Sequence, residues 1–146
     1  MKIAIGNDQH GIKYKNLLVK YLTSLGHEMI NVGSDEDAPS NYPEFAFKAA
    51  DLVASGKADR GIVICGSGEG IMIAANKVRG IRCGLAYNDE VASLMRRHND
   101  ANMISFSGDF MDYEDVQRRV DIFLATEFEG GRHAIRVNMI KKREEK

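Results

Sequence analysis

The chain has 146 residues, 44% of them apolar and 28% charged, and carries a formal net charge of −1. That length suits one globular domain, residues 1–146, with room for a proper core. The near-neutral balance excludes the basic field of a nucleic-acid-binding protein, and no apolar run approaches the ~20 residues that span a bilayer.

Strand and helix signals then alternate along the chain. Lys2 to Asn7 reads as a first strand, and Met1 to Gly6 turns polar too soon for a signal peptide. Gly11 to Leu25 has the apolar spacing of a helix, with Gly26 as its stop. Glu28 to Val32 predicts a second strand. A polar stretch follows from Gly33 to Asn41, with Pro39 and Pro43 as breakers, before a helix over Tyr42 to Ser55. Arg60 to Ile64 predicts a third strand, and Ile71 to Lys77 a helix. Ile81 to Ala86 predicts a fourth strand, then a helix capped by Asn88 or Asp89 and running to about His98. Met103 to Ser107 predicts the fifth strand, Asp112 to Thr126 a helix, and Arg132 to Glu145 a last, charge-rich helix. The pattern predicts an α/β, Rossmann-like three-layer fold: a five-stranded parallel sheet with an extra C-terminal helix. In such sheets ligands sit beyond the carboxyl ends of the strands.

Several groups of residues carry chemistry. Cys65-Gly66-Ser67-Gly68-Glu69-Gly70 breaks a strand into glycines and opens a helix, a device that turns backbone N–H groups towards an anion. The spacing fits neither the dinucleotide fingerprint nor a Walker A loop. Cys65, at the strand end, is a candidate base; the alternative is a small buried hydrophobe. Cys83 falls inside a strand and reads as core. Two cysteines make no disulfide framework and fit cytoplasmic thiols, and no Cys/His cluster has metal-ligand spacing. Asp8 and His10 follow the first strand, as a carboxylate and an imidazole at the sheet's mouth or as a simple helix cap. His98 and Asn99 end a helix. Arg132 and Arg136 share a helix face with His133 alongside; they could clamp a phosphate, or pair with Glu127 and Glu129.

Read together, Ile64 to Gly70, Ile73-Ala74-Ala75-Asn76-Lys77, Gly80-Ile81-Arg82, Arg97 to Asn102, Glu129 to Arg136 and Asn41-Tyr42-Pro43 resemble the ribose-5-phosphate isomerase B and galactose-6-phosphate isomerase family over essentially the whole chain. The resemblance implies a cytoplasmic aldose–ketose isomerase of sugar phosphates, in pentose phosphate or related carbohydrate metabolism, using neither metal nor organic cofactor. It implies Cys65 as the base that moves a proton between C1 and C2 through a cis-enediolate. It makes the amides of Gly66 to Gly70, those of Gly68 and Glu69 among them, the anion hole, with Ser67 also handling a hydroxyl proton. His98 would assist ring opening, Asp8 would sit near the ring oxygen or hydroxyls, and Asn99 would bind substrate. Arg132 and Arg136 would hold the phosphate. It also implies a homodimer or tetramer whose sites are shared, so that His98 and Asn99 serve a partner's Cys65. No membrane or nucleic-acid partner is implied.

Two positions depart from the family pattern. Gln9 stands where the family has a histidine, with the imidazole displaced to His10, and Asp109 stands where the family commonly has an arginine. Glu69 adds a further carboxylate. These four residues line the expected substrate site, and the change of charge opens a choice among sugars: ribose 5-phosphate by default, or a tetrose phosphate, a hexose phosphate or a free sugar. A catalytically silent subunit of a hetero-oligomeric isomerase and a flavodoxin-shaped nucleotide-binding domain are the competing readings. Cys65, Ser67 and His98 speak against the first, and the absent fingerprint against the second.

Overall fold

A computed structural model describes all residues from Met1 to Lys146. Five strands, β1 (Lys2–Asn7), β2 (Glu28–Asn31), β3 (Arg60–Cys65), β4 (Cys83–Leu85) and β5 (Met103–Ser107), form one sheet in the order β2-β1-β3-β5-β4. Every pairing is parallel, as the predicted alternation requires. Six helices join and flank them: α1 (Ile12–Ser24), α2 (Tyr42–Ala54), α3 (Glu69–Ala75), α4 (Asp89–Arg97), α5 (Tyr113–Ala125) and α6 (Arg132–Glu144). A short 3-10 turn, Gln9–Gly11, precedes α1.

Successive strand side chains point to opposite faces, so each strand feeds two cores. On one face Ile3, Ile5, Ile62, Ile64, Ile104 and Phe106 pack against α1 and α5 through Leu18, Leu22, Val116, Val120 and Phe123. On the other, Ala4, Val63, Cys65 and Met103 meet α2 and α3 through Ala46, Ala49, Ala50, Ile71, Ala74 and Ala75. The small side chains let α2 lie close, and a Cβ at Gly6 would stand 2.7 Å from the Phe45 carbonyl oxygen.

The fourth strand is shorter than its apolar run. Arg82 N–H donates to Asn102 Oδ1 at 2.9 Å and its carbonyl accepts from Asn102 N–H at 3.0 Å, so the segment before Cys83 belongs to a side-chain-locked turn. β4 is also an edge, with only β5 beside it. The third helix starts two residues earlier than predicted, because Ser67 Oγ accepts from Glu69 N–H at 3.1 Å and Gly68 supplies a left-handed turn.

The loop after β2 is held by a lysine. Lys15 is fully buried, and its ammonium donates to Ser34 O at 2.8 Å and Asp35 Oδ1 at 2.5 Å. A buried charge persists only when so satisfied, and the same bond holds the Asp35 carboxyl below its usual range. The loop therefore stays at the carboxyl end of the sheet.

Candidate active site: two half-sites at opposite ends of the sheet

The chain turns back at β1 to place β2 on one side and β3 on the other, which makes the carboxyl ends of β1 and β3 the switch point. Asn7 lies opposite Ile64 and Cys65 opposite Ser107. Cys65 thus stands between the loop that begins at Asp8 and the loop that begins at Gly108. Its residue is 4% exposed.

The glycine loop leaves Cys65 with its carbonyls tied back. Ser107 Oγ donates to Gly66 O at 2.5 Å, Asp109 N–H donates to the same oxygen at 3.2 Å, and Ser105 Oγ donates to Gly68 O at 2.6 Å. The N–H groups of Gly66, Ser67 and Gly68 donate to no protein atom. Three free amides in a row, the first two on peptides held from behind through Cys65 O and Gly66 O, form a ready donor set for a negatively charged oxygen. Ser105 and Ser107 had no assigned role in the sequence, yet they orient this loop. The available signal was a pair of hydroxyls two apart on one face of an otherwise apolar strand.

Gly68 has φ +82°, and a Cβ there would stand 3.0 Å from the Phe106 carbonyl carbon and oxygen and 2.8 Å from Leu85 Cδ1. Left-handed strain and overpacking against backbone together make Gly68→Ala cost about 2–4 kcal/mol. Denaturant unfolding should show that loss, and turnover should fall with it as the amides shift; an unchanged midpoint would contradict the tight packing.

The other predicted residues at this end fall around the loop. Asp8 is 6% exposed and its side chain accepts from His10 N–H at 3.0 Å. Burial raises its carboxyl above the ordinary range, against the opposing pull of that bond. His10 Nδ1 lies 3.1 Å from Asp109 Oδ2. Gln9 Oε1 accepts from both the N–H and the hydroxyl of Ser40, at 3.1 and 2.8 Å, so its carbonyl staples the loop after β2 instead of facing Cys65. Ser67 and Glu69 are exposed, and Gly70 backs onto the Tyr42 ring.

His98, Asn99, Arg132 and Arg136 lie away from Cys65, at the opposite end of the sheet. α4 leaves the carboxyl end of β4 and runs back down the sheet, so His98 caps it at the amino end. Asn102 accepts from Gly61 N–H at 3.1 Å, at the start of β3. Cys65 ends the same strand, roughly 15 Å away at the usual strand rise. Glu129 N–H donates to Arg97 O at 3.0 Å and ties the start of α6 to this end. One chain therefore cannot bring His98 to its own Cys65.

At the amino end Glu129 organises a cationic group. It accepts from Arg97 Nε at 2.6 Å, a bond that holds its carboxyl below the usual range. Its Oε1 lies 3.9 Å from His98 Nε2 and 3.6 Å from His133 Nε2. The two imidazoles stack with centroids 4.0 Å apart and planes 11° apart. Burial first, then His98 and Arg132, lower the His133 pKa. The three ligand atoms lie within 4.8 Å of one another, but imidazole lone pairs lie in the ring planes and nearly parallel rings do not aim them at one metal ion. Arg132 and Arg136 are exposed and, contrary to the alternative of internal pairing, form no ion pair with Glu127 or Glu129.

Burial pushes the Cys83 thiol up and keeps it inert, in line with its reading as core. The largest cavity, about 640 Å³, lies away from Cys65, between β4 and α6 beside Ile81, Met95, Met139 and Ile140. No helix is long and apolar enough to cross a membrane.

A buried cysteine beside free amides at the switch point of a parallel α/β sheet places the chain among α/β domains with an anion-accepting loop at the strand ends. The Ribose/Galactose Isomerase profile matches residues 3–140, and the chain belongs to that family. It is 41% identical over 139 residues to ribose-5-phosphate isomerase B of Escherichia coli, covering 95% of this chain and 93% of that protein. Among solved structures, ribose-5-phosphate isomerase B of Clostridium thermocellum superposes with a TM-score of 0.97 at 43% identity, over 99% of this chain and 98% of the other. The Mycoplasma genitalium enzyme with bound ribulose-5-phosphate superposes with a TM-score of 0.96 at 36% identity, over 99% and 97%. The three-layer α/β fold read from the sequence is thus the fold of these isomerases.

Proposed function

We propose that the chain is an aldose–ketose isomerase of sugar phosphates, with ribose 5-phosphate and ribulose 5-phosphate as the first pair to test. The observation that carries this reading is the row of three free amides beside Cys65. Isomerisation removes a proton from the carbon next to a carbonyl and puts charge on that oxygen. A base and a preorganised donor set are what the step needs. Cys65 takes the proton from C2 of the aldose and returns it to C1, and the enediolate oxygen rests on the Gly66–Gly68 amides. Ser67 exchanges the hydroxyl proton. Asp8, buried just after β1, lies near the ring oxygen or a hydroxyl.

The remaining parts come from a second copy. His98 of that copy opens the ring, Asn99 binds the sugar, and Arg132 and Arg136 take the phosphate. α6 supports an assembly of this kind, since Ile135 and Met139 are 65% and 67% exposed along one face and Ile73 of α3 is 54% exposed. Apolar side chains clustered in this way mark an interface. The acidic end of one copy, with Asp8, Glu69 and Asp109, also complements the arginine-rich end of the next. The assembly is a homodimer, or a tetramer built from two such dimers, working in the cytoplasm.

Incubating the purified chain with ribose 5-phosphate in deuterated water tests the reading. The expected result is ribulose 5-phosphate carrying deuterium at C1, with no added metal or cofactor. A chain that turns over no aldose phosphate and exchanges no carbon-bound proton would overturn it.

A further inference from the structure

The Cys65 half-site holds its charges in an arrangement that bears on which part of a sugar it accepts. Three carboxylates, Asp8, Glu69 and Asp109, surround the glycine loop, and His10 is the one basic side chain bound among them. The arginines at this end of the sheet are already engaged: Arg118 and Arg119 bind Asp89 and Asp115. Lys15 is buried under Ser34 and Asp35.

Asp109 reaches the loop itself. Its N–H donates to Gly66 O, and its Oδ2 would lie 3.0 Å from a Cβ at Gly66, with the His10 ring 3.6–3.7 Å from the same point. The carboxylate therefore sits against the Cα of Gly66, beside the loop and not on its N–H. Both members of the pair are partly open, with His10 and Asp109 side chains 45% and 43% exposed. Two Asp109 oxygens with one imidazole N–H leave acceptor capacity facing outwards.

We propose that the His10–Asp109 pair is the specificity element of this half-site: Asp109 accepts a hydrogen bond from an uncharged sugar hydroxyl and keeps the substrate's phosphate from this end. The inference deepens the isomerase reading and rests on it. With the enediolate spanning C1 and C2 on the amides, the next hydroxyl along the chain is that of C3, and it falls to Asp109. His10 holds the carboxylate in place through Nδ1. A phosphate here would meet like charge, so the substrate's phosphate is carried solely by Arg132 and Arg136 of the second copy. The pair fixes which way the substrate lies across the two half-sites.

Calorimetric binding of three probes to the intact protein and to Asp109→Asn tests this: inorganic phosphate, ribose 5-phosphate and 3-deoxyribose 5-phosphate. A hydrogen bond to a charged acceptor predicts about 10-fold weaker ribose 5-phosphate binding in Asp109→Asn. The 3-deoxy analogue should bind both proteins alike, and inorganic phosphate should bind Asp109→Asn no more weakly than the intact protein, since the variant keeps both arginines and loses the charge that repels a phosphate. Equal weakening of the 3-deoxy analogue, a clear loss of phosphate binding in the variant, or a wild-type chain that binds none of the probes would overturn the inference. Binding that follows the predicted pattern without any turnover would leave the specificity element standing and remove the isomerase reading instead.

Discussion

Replacing Cys65 with alanine is expected to lower turnover by about 10²–10⁴-fold, the usual contribution of a positioned general base. The residue ends β3 beside Asp8 and Ser107, and no other thiol is near, since Cys83 is sealed in the core at the start of β4. Alanine removes one buried sulfur from a cluster that already contains Ala46, Ala49, Ala74 and Ala75. The fold should therefore survive, and ribose 5-phosphate binding should change little, because the amides and the arginines remain. Exchange of the C2 proton with deuterated water isolates the step. It should vanish in Cys65→Ala, whereas loss of ring opening alone would leave exchange of the open-chain sugar in place. Near-normal turnover or exchange would remove Cys65 from the role of base and leave the free amides without their partner.

Most of the architecture was legible because its signals are local. β5 was placed to the residue, Met103–Ser107, since an apolar run bounded by Asn102 and Gly108 has few alternatives. Helix starts at Tyr42 and Arg132 followed from Pro43 and from Gly130-Gly131. The glycine loop was legible for a similar reason: glycine spacing between a strand and a helix is a short-range signature. β4 was over-extended because its amino-terminal limit is set by Asn102, twenty residues away, and hydropathy carries no trace of that contact.

For the candidate site the sequence offers residues but not their arrangement. Whether a helix end lies beside a strand's first or last residue depends on the direction of travel, and α4 takes His98 to the amino end. Gln9 reads as a residue of the sheet's mouth, yet Ser40 of the next loop claims its carbonyl. Asp109 looks repulsive in isolation. The structure supplies its counterpart in His10, the displaced imidazole one position after Gln9. Ser105 and Ser107 show in the sequence as two hydroxyls on an apolar strand but not as supports of the glycine loop, because a buried hydroxyl shows its purpose only when its acceptor, here a carbonyl of the loop after β3, is known.

The larger expected effect concerns the division of the site. Cys65 and its amides lie at one end of the sheet, and His98 with Arg132 and Arg136 at the other. Alone, Cys65→Ala and His98→Ala should each be close to inactive. In a mixed dimer, one site combines both defects. The other combines an intact Cys65 from one chain with an intact His98 from its partner. Random pairing makes about half the dimers mixed, each with one working site, so activity should return to about a quarter of the wild-type value. Co-expression of the two variants in one cell, followed by an isomerase assay of the purified mixture, is the most direct measurement of the central claim. Recovery to about a quarter is the predicted result. A mixture no more active than the two variants alone would contradict a site built between copies.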